Sequence, residues 1–499
     1  MTDTLALQRY RLYIDGAELE SAAGATFAST NPATGEPWAH FDEATAGDVD
    51  LAVQAAARAF TRGSAWRSLS ATRRGRLMLR LADLIRENAE RIAAIEVREN
   101  GKLMREMHAQ LGVAPDWLTY FGGLADKIEG RTIPLDRTSV LNYTQREPLG
   151  VVGIITPWNS PTMLTMMALA PALAAGNTVV IKPSEETSAS ILEIARLLEP
   201  AGFPPGVINV VTGGRVAGEA LVAHPQVAKI SFTGGEAAGR AIAGVVGARL
   251  GHVTLELGGK SANIVFDDAE LDAAEAGILA GIFAAGGQTC IAGSRALIHA
   301  PVYEEMVERL RRRAESIVLG DPMDPATQMG PVATAAQLAK IEGHIATARA
   351  DGARVVVGGE RAQVEGLANG LFHQPTILAD IANDSHVAQE EIFGPVLAVI
   401  PFEDEDEAVA LANATPYGLA AGVWTLNIKR AHRVARALEA GSVWINLYRA
   451  VTFNSPFGGY KASGIGRVNG IEALDEFLQT KSVWVELDEA IQDPFVMKV

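Results

Sequence analysis

GVVGIITPWNSPTMLTMMALAPALAAGNTVVIKPSE, residues 150–185, is the stretch on which the fold turns. Apolar, β-branched residues fill 151–156 and 178–181, and the run over 162–174 has the length of a helix. Pro171, Gly176 and Asn177 interrupt the apolar segment, so it reads as helix, turn and strand and not as a membrane span. The alternation continues outward. A helix is expected over 187–199, a strand over 207–211, then a further helix, a strand over 229–232, a helix from Ala237 and a strand over 253–257. Short apolar strands alternating with helices predict a parallel sheet in a doubly wound α/β fold. Such sheets take ligands beyond the carboxyl ends of their strands. The polar and Gly-rich residues fall there: Trp158 and Asn159, Lys182 to Glu185, 212–214, Thr233 to Gly235, and 256–259.

On the N-terminal side, Leu12, Tyr13 and Ile14 read as a strand entering a turn, and 31–35 has turn chemistry. Asp48 is expected to cap a helix carrying Val53, Ala56 and Phe60, and one amphipathic helix is expected over 71–98, with more helix to Lys127. Residues 128–148 change to two extended strands, an excursion whose edge invites pairing. On the C-terminal side a second α/β unit is expected from Ser261. Asp268 would cap its first helix, strands follow at 295–300, 353–358, 375–378 and 396–402, and helices at 302–316 and 406–412. A last strand over 481–487 is expected to pair with the 128–148 excursion or with another subunit.

At 499 residues the chain is too long for one core. A net charge of −16 argues against a nucleic-acid surface. One cysteine rules out an internal disulfide and suits a reducing cytoplasm; no basic-then-apolar leader and no metal-ligand spacing are seen.

That cysteine, Cys290, lies in Gly-Gly-Gln-Thr-Cys-Ile-Ala-Gly-Ser-Arg, 286–295, where small neighbours leave room for a substrate. A lone thiol is more often structural than catalytic, and the other segments must decide. No GxGxxG follows a strand. Thr233-Gly234-Gly235 can still offer backbone N–H groups to a pyrophosphate, or serve turn geometry alone. Lys182 and Glu185 fit either a ribose or a solvated turn.

Taken together, the motifs resemble the aldehyde dehydrogenase superfamily: Pro157-Trp158-Asn159, Ile181-Lys182-Pro183-Ser184-Glu185, Phe232-Thr233-Gly234-Gly235, 255–260 (LELGGK), 287–290 (GQTC), 390–395 (EEIFGP) and 456–461 (PFGGYK), in order from Tyr13 to Leu487. The resemblance implies a Rossmann-like cofactor domain (1–127 and 149–258), a second α/β catalytic domain (259–456) and a small β oligomerisation flap with the C-terminal tail (128–148 and 480–499). It implies a homodimer or homotetramer that oxidises a small-molecule aldehyde with NAD. Cys290 would be the nucleophile, Asn159 and the Cys290 N–H the oxyanion hole, and Glu256 the base that activates water. Lys182 and Glu185 would hold the adenosine ribose and Glu391 the nicotinamide ribose, with Phe393 at the nicotinamide end and Trp158, Gly234 and Gly235 along the adenine and pyrophosphate. Thr156, Pro157, Ser184, Gly214, Gly218, Phe232, Thr233 and Leu257 complete the cofactor set. Glu185 favours NAD over NADP, since a carboxylate repels a 2′-phosphate.

Three departures stand out. Many relatives have Ser at Gly235. Many carry Lys at Ala168 and Glu at Val468, a pair regarded as a proton route; here both are apolar, and proton release from Glu256 is expected through water. Relatives that take small aldehydes often have aromatics at Ser160 and Ala284. With small residues there, apolar walls from Leu164, Met167, Ile291, Val451 and Phe457, Thr289 beside the nucleophile and Arg449 at the mouth, the tunnel is expected to suit a medium-to-large apolar or aromatic aldehyde and not betaine aldehyde. The alternatives are a CoA-acylating semialdehyde dehydrogenase, which generally lacks the base at Glu256, and a non-catalytic relative.

Overall fold

The computed structural model describes residues 7–489 and 495. The tail 488–499, expected to reach a neighbouring subunit, lies for the most part outside the described residues.

The chain builds two large sheets. In the first, five parallel strands are ordered His252–Glu256, Val227–Thr233, Val151–Ile155, Thr178–Lys182 and Ile208–Val210. Leu12–Ile14 and Gly464–Ile465 add antiparallel strands at the two sides. All five residues of Val151–Ile155 and of Thr178–Lys182 are buried, as strands covered on both faces must be. The intervening helix, Pro161–Ala175, is apolar nearly all round and almost wholly buried, and it ends at Gly176, whose φ of 93° accommodates the turn.

From Val151–Ile155 the chain steps through Thr178–Lys182 to Ile208–Val210. It then crosses back to Val227–Thr233 on the opposite flank. The strand order therefore reverses between Val151–Ile155 and Val227–Thr233, and loops leaving a reversal point diverge and open a crevice. Pro157-Trp158 and Gly234-Gly235 lie on those loops.

The second sheet is ordered Arg354–Val357, Thr376–Ala379, Val396–Phe402, Arg295–His299, Ala262–Val265, Ala420–Trp424 and Ser442–Ile445. Only the first of these pairs antiparallel. Apolar clusters cover both faces of each large sheet. Val140–Pro148 and Leu478–Glu486 form an antiparallel ribbon, with Thr132–Ile133 on its edge.

Three expectations are corrected. The helix expected to start at Asp48 spans Ala46–Phe60 and is capped by Thr45. Asp48 instead closes the capping box, accepting from the Thr45 N–H at 2.8 Å. The helix expected over 71–98 is two, Ala71–Glu87 and Ala89–Asn100, broken at Asn88, whose side chain donates to the Leu84 carbonyl. Asp268 does not cap the helix after it, which begins at Leu271. Its carboxylate instead accepts from Thr425 Oγ1 at 2.7 Å and Arg430 at 3.1 Å.

Candidate active site

Two adjoining cavities open at the reversal point. The larger, about 790 Å³, is a cleft lined by Thr156, Pro157 and Trp158, by Lys182, Ser184 and Glu185, by Gly214 and Gly218, and by Phe232 to Gly235. Its far wall is the apolar stripe Ala238, Ala241, Ile242 and Val245 of helix Glu236–Ala248. The smaller, about 170 Å³, shares Pro157, Trp158, Thr233, Gly234 and Gly235 with the cleft and is bordered by Asn159, Leu164, Glu256, Leu257, Cys290, Glu391 and Phe393. All the residues expected at the cofactor site thus line one or the other of these two adjoining cavities. The wall stripe was not singled out in the sequence, although its i, i+3, i+4, i+7 spacing carried the signal.

In the cleft, Lys182 is held rigidly. Its ammonium donates to the Pro183 and Gly213 carbonyls, each at 2.8 Å, and stands 3.5 Å from Glu185. The Glu185 side chain is half-exposed on the rim, facing Gly214. Gly235 is the N-cap of helix Glu236–Ala248, and among the described residues no side chain caps that end. Its first N–H groups and the positive end of its dipole therefore face the cleft, as an anion requires.

In the chamber, the loop carrying Cys290 is set by a run of left-handed residues: Ala285, Gly286 and Gly287 have φ of 55°, 60° and 71°. Gln288 anchors the loop, its side chain accepting from Ala333 N–H at 2.9 Å. The Gln288 carbonyl accepts from Asn159 Nδ2 at 3.0 Å, which orients that amide and leaves its second N–H for another acceptor. Burial, with the Glu256 and Glu391 carboxylates nearby, pushes the Cys290 thiol up to about 12.

Glu256 ends strand His252–Glu256 and is 5% exposed, yet neither carboxylate oxygen has a hydrogen-bond partner among the described residues. Burial raises its pKa well above the carboxylate range, with Arg467 opposing and Glu476 adding to the rise. An unsatisfied buried carboxyl is expensive. One facing a cavity beside a thiol is placed to take a proton from a molecule that enters.

Glu391 is fixed from the other side: its Oε1 accepts from Gly259 N–H at 3.1 Å, and a Cβ at Gly258 would stand 2.2 Å from its Oε2. Gly258 is what lets the carboxylate approach this loop. Phe393 has φ of 58°, a costly conformation for an aromatic residue, and its ring meets Trp158 edge to face at 5.3 Å.

The expected tunnel residues are less unified. Leu164, Met167, Ile291 and Phe457 share one apolar cluster with Cys290. Thr289 is buried with its hydroxyl unpartnered among the described residues, and Ala284 is half-buried. Val451 instead lies 40% exposed. Arg449 has φ of 65° and donates to the Ala280 carbonyl at 2.7 Å. Ser160 accepts from the ammonium of Lys102 at 2.8 Å, a residue the sequence reading did not single out. Ala168 and Val468 are both buried and apolar.

The chain matches the model of the aldehyde dehydrogenase family over residues 19–483. It is 46% identical over 495 residues to (Z)-2-((N-methylformamido)methylene)-5-hydroxybutyrolactone dehydrogenase of Acinetobacter baylyi, covering 99% of this chain and 100% of that protein. The NAD+ complex of an aldehyde dehydrogenase from Bacillus cereus is similar in structure, with a TM-score of 0.94 at 42% identity over 96% of this chain and 97% of that one. Betaine aldehyde dehydrogenase from Staphylococcus aureus, in complex with NAD+, has a TM-score of 0.95 at 39% identity over 98% of this chain and 96% of that one. With a cleft, a chamber and a chain-long match that agree, the protein belongs to the aldehyde dehydrogenase family, whose reaction is the oxidation of aldehydes.

Proposed function

We propose that the protein oxidises an aldehyde to the carboxylic acid with NAD+, using Cys290 as nucleophile, Asn159 as oxyanion donor and Glu256 as general base. The observation that carries this reading is the meeting of Cys290, Asn159, Glu391 and the unpartnered carboxylate of Glu256 around one chamber that shares a wall with the cleft.

The cleft fits a dinucleotide. An uncapped helix N-terminus suits a pyrophosphate, Lys182 and Glu185 suit the adenosine ribose, and Glu391 beside Phe393 suits the nicotinamide ribose. The rim carboxylate of Glu185 favours NAD+ over NADP+. When bound, NAD+ supplies the acceptor for the hydride that leaves the aldehyde carbon.

The protein's own groups do the rest. Cys290 attacks the carbonyl carbon as thiolate, and the free N–H of Asn159 with the Cys290 N–H holds the oxyanion of the thiohemiacetal. Glu256 takes a proton from water, which attacks the thioester and releases the acid. With Ala168 and Val468 apolar, that proton leaves through water.

We further read the chain as a cofactor domain (1–127 and 149–258), a catalytic domain (259–456) and a flap (128–148 and 480–499) that joins subunits into a dimer or tetramer. Small Ser160 and Ala284 among apolar Leu164, Met167, Ile291 and Phe457 support a substrate with a medium-to-large apolar or aromatic body. The test is NADH formation with a panel of aldehydes beside Cys290→Ala. Turnover abolished in the variant supports the reading. No NADH from any aldehyde, or NADH only when CoA is added, overturns it.

A further inference from the structure

Gln337 and Lys340 border the same chamber as Cys290 and Glu256, and the aldehyde oxidation proposed above uses neither. Both lie near the start of helix Ala335–Ala350. Thr334 caps that helix, its hydroxyl accepting from the Gln337 N–H at 3.0 Å, so the backbone beneath the Gln337 side chain is fixed. The side-chain amide then donates both its hydrogens, to the Ile392 carbonyl at 2.7 Å and to the Phe393 carbonyl at 2.9 Å. Lys340, about one turn further on, donates to the Glu391 carbonyl at 2.8 Å. One helix thus holds the consecutive carbonyls of residues 391–393.

With those carbonyls bonded to the helix, the Glu391 carboxylate reaches the Gly259 N–H and the Phe393 ring meets Trp158. Phe393 does so at φ of 58°, a conformation that an aromatic residue keeps only where its surroundings fix it. Its own carbonyl is one of the two that Gln337 holds. The same stretch of chain is bonded to the loop of the nucleophile: Ala333 N–H, just before the helix, donates to the Gln288 side chain at 2.9 Å. The two loops also touch each other, since a Cβ at Gly287 would stand 2.0 Å from the Gly394 carbonyl oxygen. Segment 333–340 therefore braces the loop of Cys290 at one end and the loop of Glu391 and Phe393 at the other.

We propose that Gln337 is a positioning residue for hydride transfer. Through the carbonyls it holds, it keeps Glu391 and Phe393, which suit the nicotinamide end of the cofactor, in fixed register with Cys290, which carries the substrate carbon. In that step the oxyanion of the thiohemiacetal collapses to the thioester carbonyl, the C–H bond breaks, and its electron pair leaves as hydride to bound NAD+. Gln337 touches none of these atoms and acts through the backbone of Ile392 and Phe393. The role rests on the aldehyde oxidation proposed above.

The test compares the wild type with Gln337→Leu, which removes both donors, and Gln337→Glu, which keeps the shape of the side chain but has no N–H. Rapid mixing at saturating NAD+ follows the NADH burst with the aldehyde turned over fastest and with its 1-deuterated form. Hydrolysis of 4-nitrophenyl acetate without NAD+ reports on Cys290 and Glu256 in a reaction that has no hydride step, and fluorescence titration gives Kd for NAD+. A misplacement of about 1 Å costs about 10²-fold in rate, so the burst should slow about 10- to 100-fold in both variants, with a larger deuterium isotope effect than in the wild type. Ester hydrolysis and Kd should change far less than the burst. A burst at the wild-type rate in either variant, ester hydrolysis lost in the same proportion, or a loss that Kd accounts for in full would overturn the role of Gln337 and leave the oxidation standing. No NADH from the wild type with any aldehyde would instead sink the oxidation, and this role with it.

Discussion

Glu256 is the residue whose environment makes the strongest statement about chemistry. A carboxyl with a raised pKa is a stronger base once deprotonated, but fewer copies are deprotonated at neutral pH. The Cys290 thiol, pushed up to about 12, shares that property. In the proposed mechanism both groups act in their deprotonated forms, so activity should gain as pH rises towards both pKa values. We predict that kcat/KM climbs with pH through neutrality and on into the alkaline range, without the acid-side optimum of a group that must be protonated. Glu256→Gln should retain a burst of one NADH per site and lose about 10²- to 10⁴-fold in steady-state rate, because the thioester forms but is not hydrolysed. Rapid-mixing kinetics would show the burst; its absence would move the role of Glu256 to an earlier step. Gly258→Ala places a methyl 2.2 Å from Glu391 Oε2 and must displace that carboxylate. Losing a charged hydrogen bond predicts an increase of about tenfold or more in KM for NAD+, measured by initial rates at saturating aldehyde.

The residues at the strand ends were legible because their types are rarely placed there for packing. Lys182 and Glu256 close apolar strands, and Asn159 and Glu185 follow within four residues of a strand end; their roles were read from the motifs in order and not from residue type alone. Lys102 was not legible. It lies 58 residues before Ser160 in the sequence, and only folding brings the two together.

At the scale of the element, helix Glu236–Ala248 begins with a defect that the sequence shows directly. Gly235 takes the N-cap position with φ of −73° and ψ of 150°, a geometry open to any residue, and a Cβ there would meet nothing within 4 Å. Gly235→Ser should therefore be free of strain. Serine at an N-cap is better than glycine by only a few tenths of a kcal/mol, so thermal stability should change little. The hydroxyl also lines the cleft and offers a donor to an anion. We expect Kd for NAD+ to fall about two- to fivefold, in keeping with a net hydrogen bond of 0.5–1.5 kcal/mol, as read by fluorescence titration. An unchanged Kd would mean that the helix end does not meet the pyrophosphate.

Element ends were where sequence reasoning slipped, for a physical reason. Asp, Asn and Ser all satisfy orphan backbone groups, and which of them does so depends on partners distant in sequence. Asp268 looks like a cap until Thr425 and Arg430 take its carboxylate. The break at Asn88 was hidden because apolar stripes face the core on both sides of it.

At the scale of the whole molecule, the parallel sheet was legible because its strands are apolar throughout, and the order reversal then places the cleft without further information. The ribbon of Val140–Pro148 and Leu478–Glu486 was read as an excursion whose edge invites pairing with another subunit. Leu141 pairs with Val485 and Tyr143 with Val483, so these side chains share a face. Leu141, Val485, Leu487 and, on the opposite face, Trp484 are all exposed, Trp484 by 63%. A narrow ribbon with apolar residues on both faces and an unpaired outer strand is marginal in water by itself. A second copy of the chain would cover it. Val485→Asp puts a charge on one face near the end of the ribbon, opposite Leu141, without disturbing the backbone pairing. Light scattering after size exclusion should show the variant shifted towards a smaller species than the wild type, with loss of thermal stability that depends on protein concentration. A wild type that is already monomeric, or a Val485→Asp protein of unchanged mass, would assign the exposed ribbon to something other than self-assembly. The chamber borders neither strand of the ribbon, so kcat for a neutral aldehyde should fall far less than the assembly does. A parallel loss of both would mean that subunit contact is what holds the catalytic loops in place.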